Sequence, residues 1–127
     1  MNIDQWLVTY LQNSSASSYT TNIRPEFLPQ NSKPPAIIYR SIGFDRNRKN
    51  KMNVMSLTCL HNSLAEVELL NDCIYNIFDT STHYIRESSS DMNIESVTIL
   101  NNNAKGFDEE NKYWYHTIDI RYWYHNT

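Results

Sequence analysis

The passage from a strand into a helix between residues 56 and 78 constrains the fold of this chain more than any other feature. Ser56-Leu57-Thr58-Cys59-Leu60 has the composition of a strand, and Ser63 then offers a good helix N-cap. Glu66 follows three positions later and completes the pattern of a capping box. Apolar residues recur after it at spacings of three and four, at Val67, Leu70, Ile74, Ile77 and Phe78. The pattern predicts an amphipathic helix that ends near Asp79 and packs against a sheet.

A shorter amphipathic helix is predicted at the start of the chain. Its apolar positions also recur every three or four residues, and Asn2 is placed to cap it. Four prolines between residues 19 and 35 exclude a regular helix there, so that segment is predicted to be extended. The apolar positions of the first helix are Ile3, Trp6, Leu7, Tyr10 and Leu11.

Four segments read as strands, because β-branched and aromatic residues are concentrated in them. They cover residues 36–42, 52–60, 94–100 and 112–124, with Gly43 closing the first and a turn-rich loop at 101–111 preceding the last. The order of elements predicts an α+β fold with an antiparallel sheet of about four strands and helices packed on one face. A chain of 127 residues is expected to form a single domain over residues 1–127.

The last predicted strand has two unlike faces, because side chains alternate along a strand. Trp114, Ile118, Ile120 and Tyr122 share the face that we expect to cover the helix. The opposite face carries Thr117, Asp119, Arg121 and Trp123.

Composition excludes several classes of protein. The net charge of −3 argues against a general nucleic-acid binder, and two glycines leave no material for a phosphate-binding loop. No apolar run is long enough to cross a membrane, and residues 1–5 do not resemble a signal peptide. Two cysteines do not make a disulfide framework, so a reducing cytoplasm is expected.

No residue pattern predicts a cofactor, a metal ion or catalysis. Cys59, His61 and Cys73 lack the paired spacing of zinc ligands, and both cysteines are interpreted as buried apolar groups. Ser63 is explained as a helix cap, and His116 as a hydrogen-bonded sheet residue rather than a base. We therefore expect that the chain is not an enzyme.

Several segments together resemble one family. They are the 56–67 strand-to-helix passage, Val97-Thr98-Ile99-Leu100, Gly106-Phe107-Asp108-Glu109-Glu110 and Tyr115-His116-Thr117-Ile118-Asp119-Ile120-Arg121-Tyr122-Trp123-Tyr124. The Pro34-Pro35-Ala36-Ile37-Ile38-Tyr39 segment and the short first helix add to the likeness. The chain resembles the tail-terminator, or tail-completion, proteins of long-tailed bacteriophages, whose fold also occurs in some tail-to-head joining proteins.

The resemblance implies a subunit of a hexameric ring at the head-proximal end of a virion tail, assembled in the host cytoplasm. Such a ring caps the tail tube, stops its polymerisation and contacts the head connector, while double-stranded DNA passes through the lumen without sequence-specific binding. A connector or neck protein of the same particle is the alternative, followed by a small enzyme or a host-interaction module. Asp119, Arg121 and Trp123 are candidate interface residues, because aromatic and arginine side chains are enriched at interfaces.

A basic loop at residues 44–51 contains the other candidate contacts, Arg46, Arg48, Lys49 and Lys51. Three interpretations stay open: a solvated hairpin tip, docking onto an acidic protein surface, or contact with DNA phosphates. Asp108, Glu109 and Glu110 form an acidic turn that lacks the spaced oxygen ligands of a calcium loop, so a solvated turn is expected.

Overall fold

Among the residues that the structure describes, two α-helices and six strands build an α+β fold. This computed structural model describes residues 3–26, 28, 32–45, 51–80, 85, 87–88 and 92–126. In chain order the elements are α1 (Ile3–Gln12), a 3-10 helix (Ser15–Ser18), β1 (Ile23–Pro25), β2 (Ala36–Asp45), β3 (Lys51–His61), α2 (Leu64–Phe78), β4 (Glu87–Ser88), β5 (Met92–Asp108) and β6 (Tyr113–Asn126).

The six strands form one sheet in the order β1-β2-β3-β6-β5-β4. β1 runs parallel to β2, and every other neighbouring pair is antiparallel. The predicted α+β class is confirmed, but the predicted antiparallel sheet of about four strands describes only its centre. The two edge strands, of 3 and 2 residues, are too short to leave a periodic pattern in the sequence, and β1 makes the sheet mixed.

The hairpin formed by β2 and β3 is longer than predicted. Gly43 was expected to close β2, but the strand continues to Asp45. The pairing with β3 shifts register between Ser41 and Gly43, so a bulge takes up the irregularity without ending the strand. Residues 46–50, which include three of the four predicted basic contacts, lie outside the described residues.

The predicted loop at 101–111 is largely wrong, because β5 extends to Asp108. Its pairing with β6 shifts register three times between Ile94 and Ala104 and then runs regularly to Asp108. Bulges let the asparagine-rich stretch stay in the ladder, although its composition is typical of a turn.

A tight turn at Glu109–Lys112 joins β5 to β6. The Asp108 carboxylate accepts hydrogen bonds from the backbone N–H groups of Glu110 and Asn111, both at 3.0 Å. A hydrogen bond from the Asn111 side chain at 3.0 Å, together with these backbone bonds, holds the pKa of Asp108 below its ordinary value. Asp108 therefore shapes the turn as well as facing solvent.

Helix α2 begins where the sequence predicts. The Ser63 hydroxyl accepts a hydrogen bond from the Glu66 N–H at 3.4 Å, as an N-cap does. The second bond of a capping box is replaced, because the Ser63 N–H donates to His61 Nδ1 at 3.2 Å. The last residue of β3 thus helps to set the start of the helix.

The main core lies between the helices and one face of the sheet. Trp6 of α1 meets Tyr122 of β6 edge to face at 5.4 Å, and Phe78 of α2 meets Tyr122 in the same manner at 6.4 Å. Tyr10 lies beside both Trp6 and Phe78. The other predicted apolar positions of α1 are buried as expected. Burial of these rings, each of which removes a large apolar area from water, fixes both helices on the sheet.

Tyr122 is fully buried, and its hydroxyl finds no hydrogen-bond partner among the described residues. Burial raises the pKa of Tyr122 well above its ordinary value of 10.0, with Asp4 adding to the shift. Since the phenolate is disfavoured only in the folded protein, Tyr122 lowers stability as the pH rises above 10.

We predict that Tyr122→Phe keeps or raises the free energy of unfolding at neutral pH, by up to about 1 kcal/mol, because it removes an unpaired buried hydroxyl. Tyr122→Ala should instead lower it by about 3–5 kcal/mol through loss of the ring. Urea titrations of both variants check this at neutral and alkaline pH. A Tyr122→Phe variant that loses as much stability at high pH as the wild type would contradict the assignment of alkaline sensitivity to Tyr122.

Candidate functional site

The sheet face opposite the helices is the candidate functional surface. Even-numbered β6 residues from His116 to Tyr124 are buried under the helices, and the intervening odd-numbered residues are only half-buried. The two-faced pattern predicted for β6 is therefore confirmed. Neighbouring strands continue the second face, which we call the open face. Its central residues are Arg40, Ser56, Thr58, Tyr113, Tyr115, Thr117, Asp119, Arg121 and Trp123.

Arg121 is an open-face residue with a buried hydrogen-bond donor that has no partner among the described residues. It lies between Val54 of β3 and Thr98 of β5, with Asp119 and Trp123 two positions away on the same face. Its Nε atom is buried and has no hydrogen-bond partner among the described residues. A buried donor without a partner costs about 1–3 kcal/mol. A carbonyl or carboxylate from a neighbouring molecule, or an ordered water, would remove that penalty.

The other end of the open face holds a small apolar cluster and a cleft. Ala36, Ile38 and Leu60 are buried there beneath Leu28, Tyr113 and Tyr115. The adjoining cleft has a volume of about 700 Å³. Its lining is mixed, with Lys33, Arg40 and Glu26 beside apolar side chains.

Sequence analysis missed Arg40 as a site residue. Strand alternation alone places Arg40 on the same face as Ile38. Only the fold shows that Lys33 lines the same cleft as Arg40.

Tyr115 also fixes the one close approach between β5 and β6 that requires a glycine. A Cβ atom added at Gly106 would lie 2.8 Å from the Tyr115 hydroxyl oxygen. Gly106 and Tyr115 are paired across the two strands, so the ring lies over the glycine backbone. A side chain at position 106 would therefore displace the Tyr115 ring on the open face.

The predicted interface residues separate into three groups. Asp119, Arg121 and Trp123 stand together along β6 on the open face. Lys51 pairs with Tyr124 at the tip end of the sheet and belongs to the row of Asn53 and Met55, on the helix side. It is therefore not brought together with the β6 group. The remaining three residues, Arg46, Arg48 and Lys49, fall outside the described residues.

His116 has a structural environment, as predicted. Its Nε2 donates to the Asn102 carbonyl at 2.8 Å, and its Nδ1 lies 3.1 Å from Glu68 Oε1 of α2. The side chain is 7% exposed. The ring thus links the helix to β6 and to the bulged part of β5, and both nitrogens are occupied.

The cysteines do not form a reactive site. Burial raises the pKa of the Cys59 thiol far above its ordinary value, with smaller contributions from Cys73 and Glu68, so the thiol stays protonated. Cys59 is buried as predicted, but Cys73 is half-exposed, with its sulfur 3.3 Å from the Ser15 hydroxyl. No group of three or more acidic, histidine or cysteine residues within the described part of the chain is arranged to hold a metal ion.

No protein-family model matches this chain, and no curated protein sequence matches it either. Neither α1 nor α2, the helices within the described ranges, is long and apolar enough to cross a membrane.

We predict that His116→Ala lowers the free energy of unfolding by about 1–3 kcal/mol, because the partly buried Asn102 carbonyl loses its donor. His125→Ala is the matched control. His125 lies near the end of β6, where its side chain is 25% exposed. It lies 3.1 Å from Glu95 and is hydrogen-bonded to Asn93 at 3.0 Å, and partly exposed contacts of this kind contribute about 0–1 kcal/mol each. Chemical denaturation of both variants gives the comparison, and equal losses would contradict the structural role of His116.

Proposed function

We propose that this chain is a structural subunit of a long-tailed bacteriophage that forms a hexameric ring at the head-proximal end of the tail. In this role it caps the tail tube, stops its polymerisation and joins the tail to the head connector. The observation that carries the proposal is the open face, on which Arg121 keeps a buried, unpaired Nε between Asp119 and Trp123.

The distribution of polar and apolar groups supports an assembly role. Both described helices pack on one face, and no described helix covers the β6 residues of the opposite face, which suits contact with another protein. A tyrosine, arginine and tryptophan surface has the composition of an interface centre, where such residues dominate the binding energy. A ring also needs a heterologous surface that closes on itself, and the two sides of this chain are unlike.

The charge distribution suits a conduit for double-stranded DNA. The net charge of −3 makes the chain repel DNA on average, so DNA could slide through a lumen without being held. The basic residues of the 44–51 loop are the exception, and we assign them to contact either an acidic neighbouring protein or passing phosphates. Sequence-specific binding is not part of the proposal.

Electron cryo-microscopy of the virion that contains this chain tests the proposal directly. We expect a six-fold ring of this chain between the tail tube and the head connector. A position in the neck against the portal would replace the terminator role with that of a connector protein. Absence of the chain from the virion would refute both structural roles.

We predict that Arg121→Ala folds with a free energy of unfolding within about 1 kcal/mol of the wild type, because it removes an unpaired donor. The same substitution should lower the yield of virions with joined tails by about tenfold or more, as expected for an interface arginine. Asp72→Ala is the control, because Asp72 is exposed on α2, on the other side of the sheet from the open face. A tail-joining yield as high as that of the control would contradict the assignment of Arg121.

A further inference from the structure

The cleft at the apolar end of the open face is separate from the Arg121 group on which the proposed function rests. Its volume of about 700 Å³ lies within the usual range of ligand-binding pockets, which is about 300–1,000 Å³. The floor is formed by β2 and β3, and one side by the segment that leads from β1 back to β2. The floor residues are Ile38, Arg40, Ser56, Thr58 and Leu60, and the described residues of that side are Glu26, Leu28, Ser32, Lys33 and Pro34.

Two cations stand at opposite ends of the cleft. Arg40 lies opposite Ser56 at one end of the floor, and Lys33 belongs to the segment just before β2 at the other end. Both side chains are exposed, and neither makes an ion pair with a described residue. Glu26 also lines the cleft but is not paired with either cation. The described lining therefore carries an excess of positive charge, although the chain as a whole has a net charge of −3.

The centre of the cleft floor is apolar. Ile38 and Leu60 lie between the two cations and belong to the small cluster beneath Leu28 and Tyr113. Ile38 and Arg40 are two residues apart on β2, so their side chains share one face and are about 7 Å apart along the strand. Residues i and i+2 of an extended peptide have the same spacing, which lets one peptide face contact both.

Hydroxyl and amide side chains surround this apolar centre. Ser56, Thr58, Tyr113 and Asn62 line the cleft, and each side chain can both donate and accept hydrogen bonds. Thr58 shares one bond with Thr117 at 3.0 Å and keeps the capacity for another. A peptide backbone needs such partners, because it carries one donor and one acceptor at each residue. A row of phosphates would instead require cations along the whole length of the cleft.

We propose that this cleft binds an extended segment of a partner protein in which an apolar residue is followed, two positions later, by aspartate or glutamate. The apolar side chain packs on Ile38 and Leu60, and the carboxylate pairs with Arg40. Lys33 attracts a second acidic residue at the other end of the segment. Burial of the apolar side chain supplies most of the affinity, whereas the pair with exposed Arg40 selects the sequence.

This inference concerns peptide binding by the purified chain and does not depend on the proposed virion role. A chain that selects such peptides but is absent from the virion would refute only the proposed function. A chain that is found in the tail but selects no such peptide would refute only the inference.

Selection from a yeast-displayed library of random seven-residue peptides tests the proposal on the full chain. The wild type should enrich sequences in which an acidic residue follows an apolar one at the second position. Arg40→Glu should enrich lysine or arginine at that same position, because the charge that selects it is reversed. The matched control is Lys105→Glu, since Lys105 is exposed opposite His116 on the helix side of the sheet. This control should keep the preference of the wild type.

Fluorescence anisotropy with one selected peptide then measures the contribution of the carboxylate. Replacement of the acidic residue by its amide should weaken binding to the wild type about two- to fivefold, as expected for an exposed ion pair. A move of the acid by one position should weaken binding equally, because the carboxylate then lies on the other face of the peptide. Neither change should affect binding to Arg40→Ala, since the partner of the carboxylate is missing. Equal weakening in Arg40→Ala and in the wild type would overturn the assignment.

A variant that fills the cleft tests the location independently of charge. Ser56→Tyr places a ring on the floor beside Arg40, and a sheet surface tolerates an aromatic residue. It should abolish peptide binding while near-ultraviolet circular dichroism shows that the tertiary packing is kept. If Ser56→Tyr fails to fold, Thr58→Tyr replaces it at the next position of the same floor.

Three further outcomes would overturn the proposal. One is a wild type that enriches no peptide sequence, and another is a filled cleft that still binds the selected peptide. The third is an oligothymidylate that displaces the peptide from the wild type and does not bind Arg40→Ala, because the cleft would then be a site for phosphates.

Discussion

The packing of Tyr122 between Trp6 and Phe78 is the interaction on which the rest of the structure depends. It joins the first helix, the second helix and the last strand, which are far apart in the sequence. Because the ring lies on β6, between β3 and β5, it fixes both helices over the middle of the sheet. This contact decides which face of β6 is buried and which face is left open.

Once one face of β6 is committed to the helices, its alternate residues must form a second surface. Asp119, Arg121 and Trp123 come together there because the strand has a period of two, and no described helix covers them. The Arg121 Nε on that surface is a buried donor without a partner among the described residues, so an acceptor from another molecule would stabilise it. The proposed assembly role rests on this combination of strand geometry and unmet hydrogen bonding.

Among the described residues, no strand pairs with parts of β2 and β5, the two long outer strands of the sheet. β1 and β4 are short, and each protects only one end of the strand beside it. The sheet therefore has two unlike edges, which are separate from its open face.

Local patterns in the sequence were sufficient to predict the helices, the cap at Ser63 and the two faces of β6, because these depend on neighbours within a few residues. They failed for the strand beyond Gly43 and for residues 101–108, where composition indicates a turn but pairing with β3 and β6 holds the chain extended. The sequence alone could not predict that Arg40 and Lys33 line the same cleft, because that depends on how the segment before β2 lies over the sheet. The sequence by itself thus determined which side chains share a face. Only the tertiary structure decided which faces and edges remain uncovered, because that depends on contacts between segments far apart along the chain.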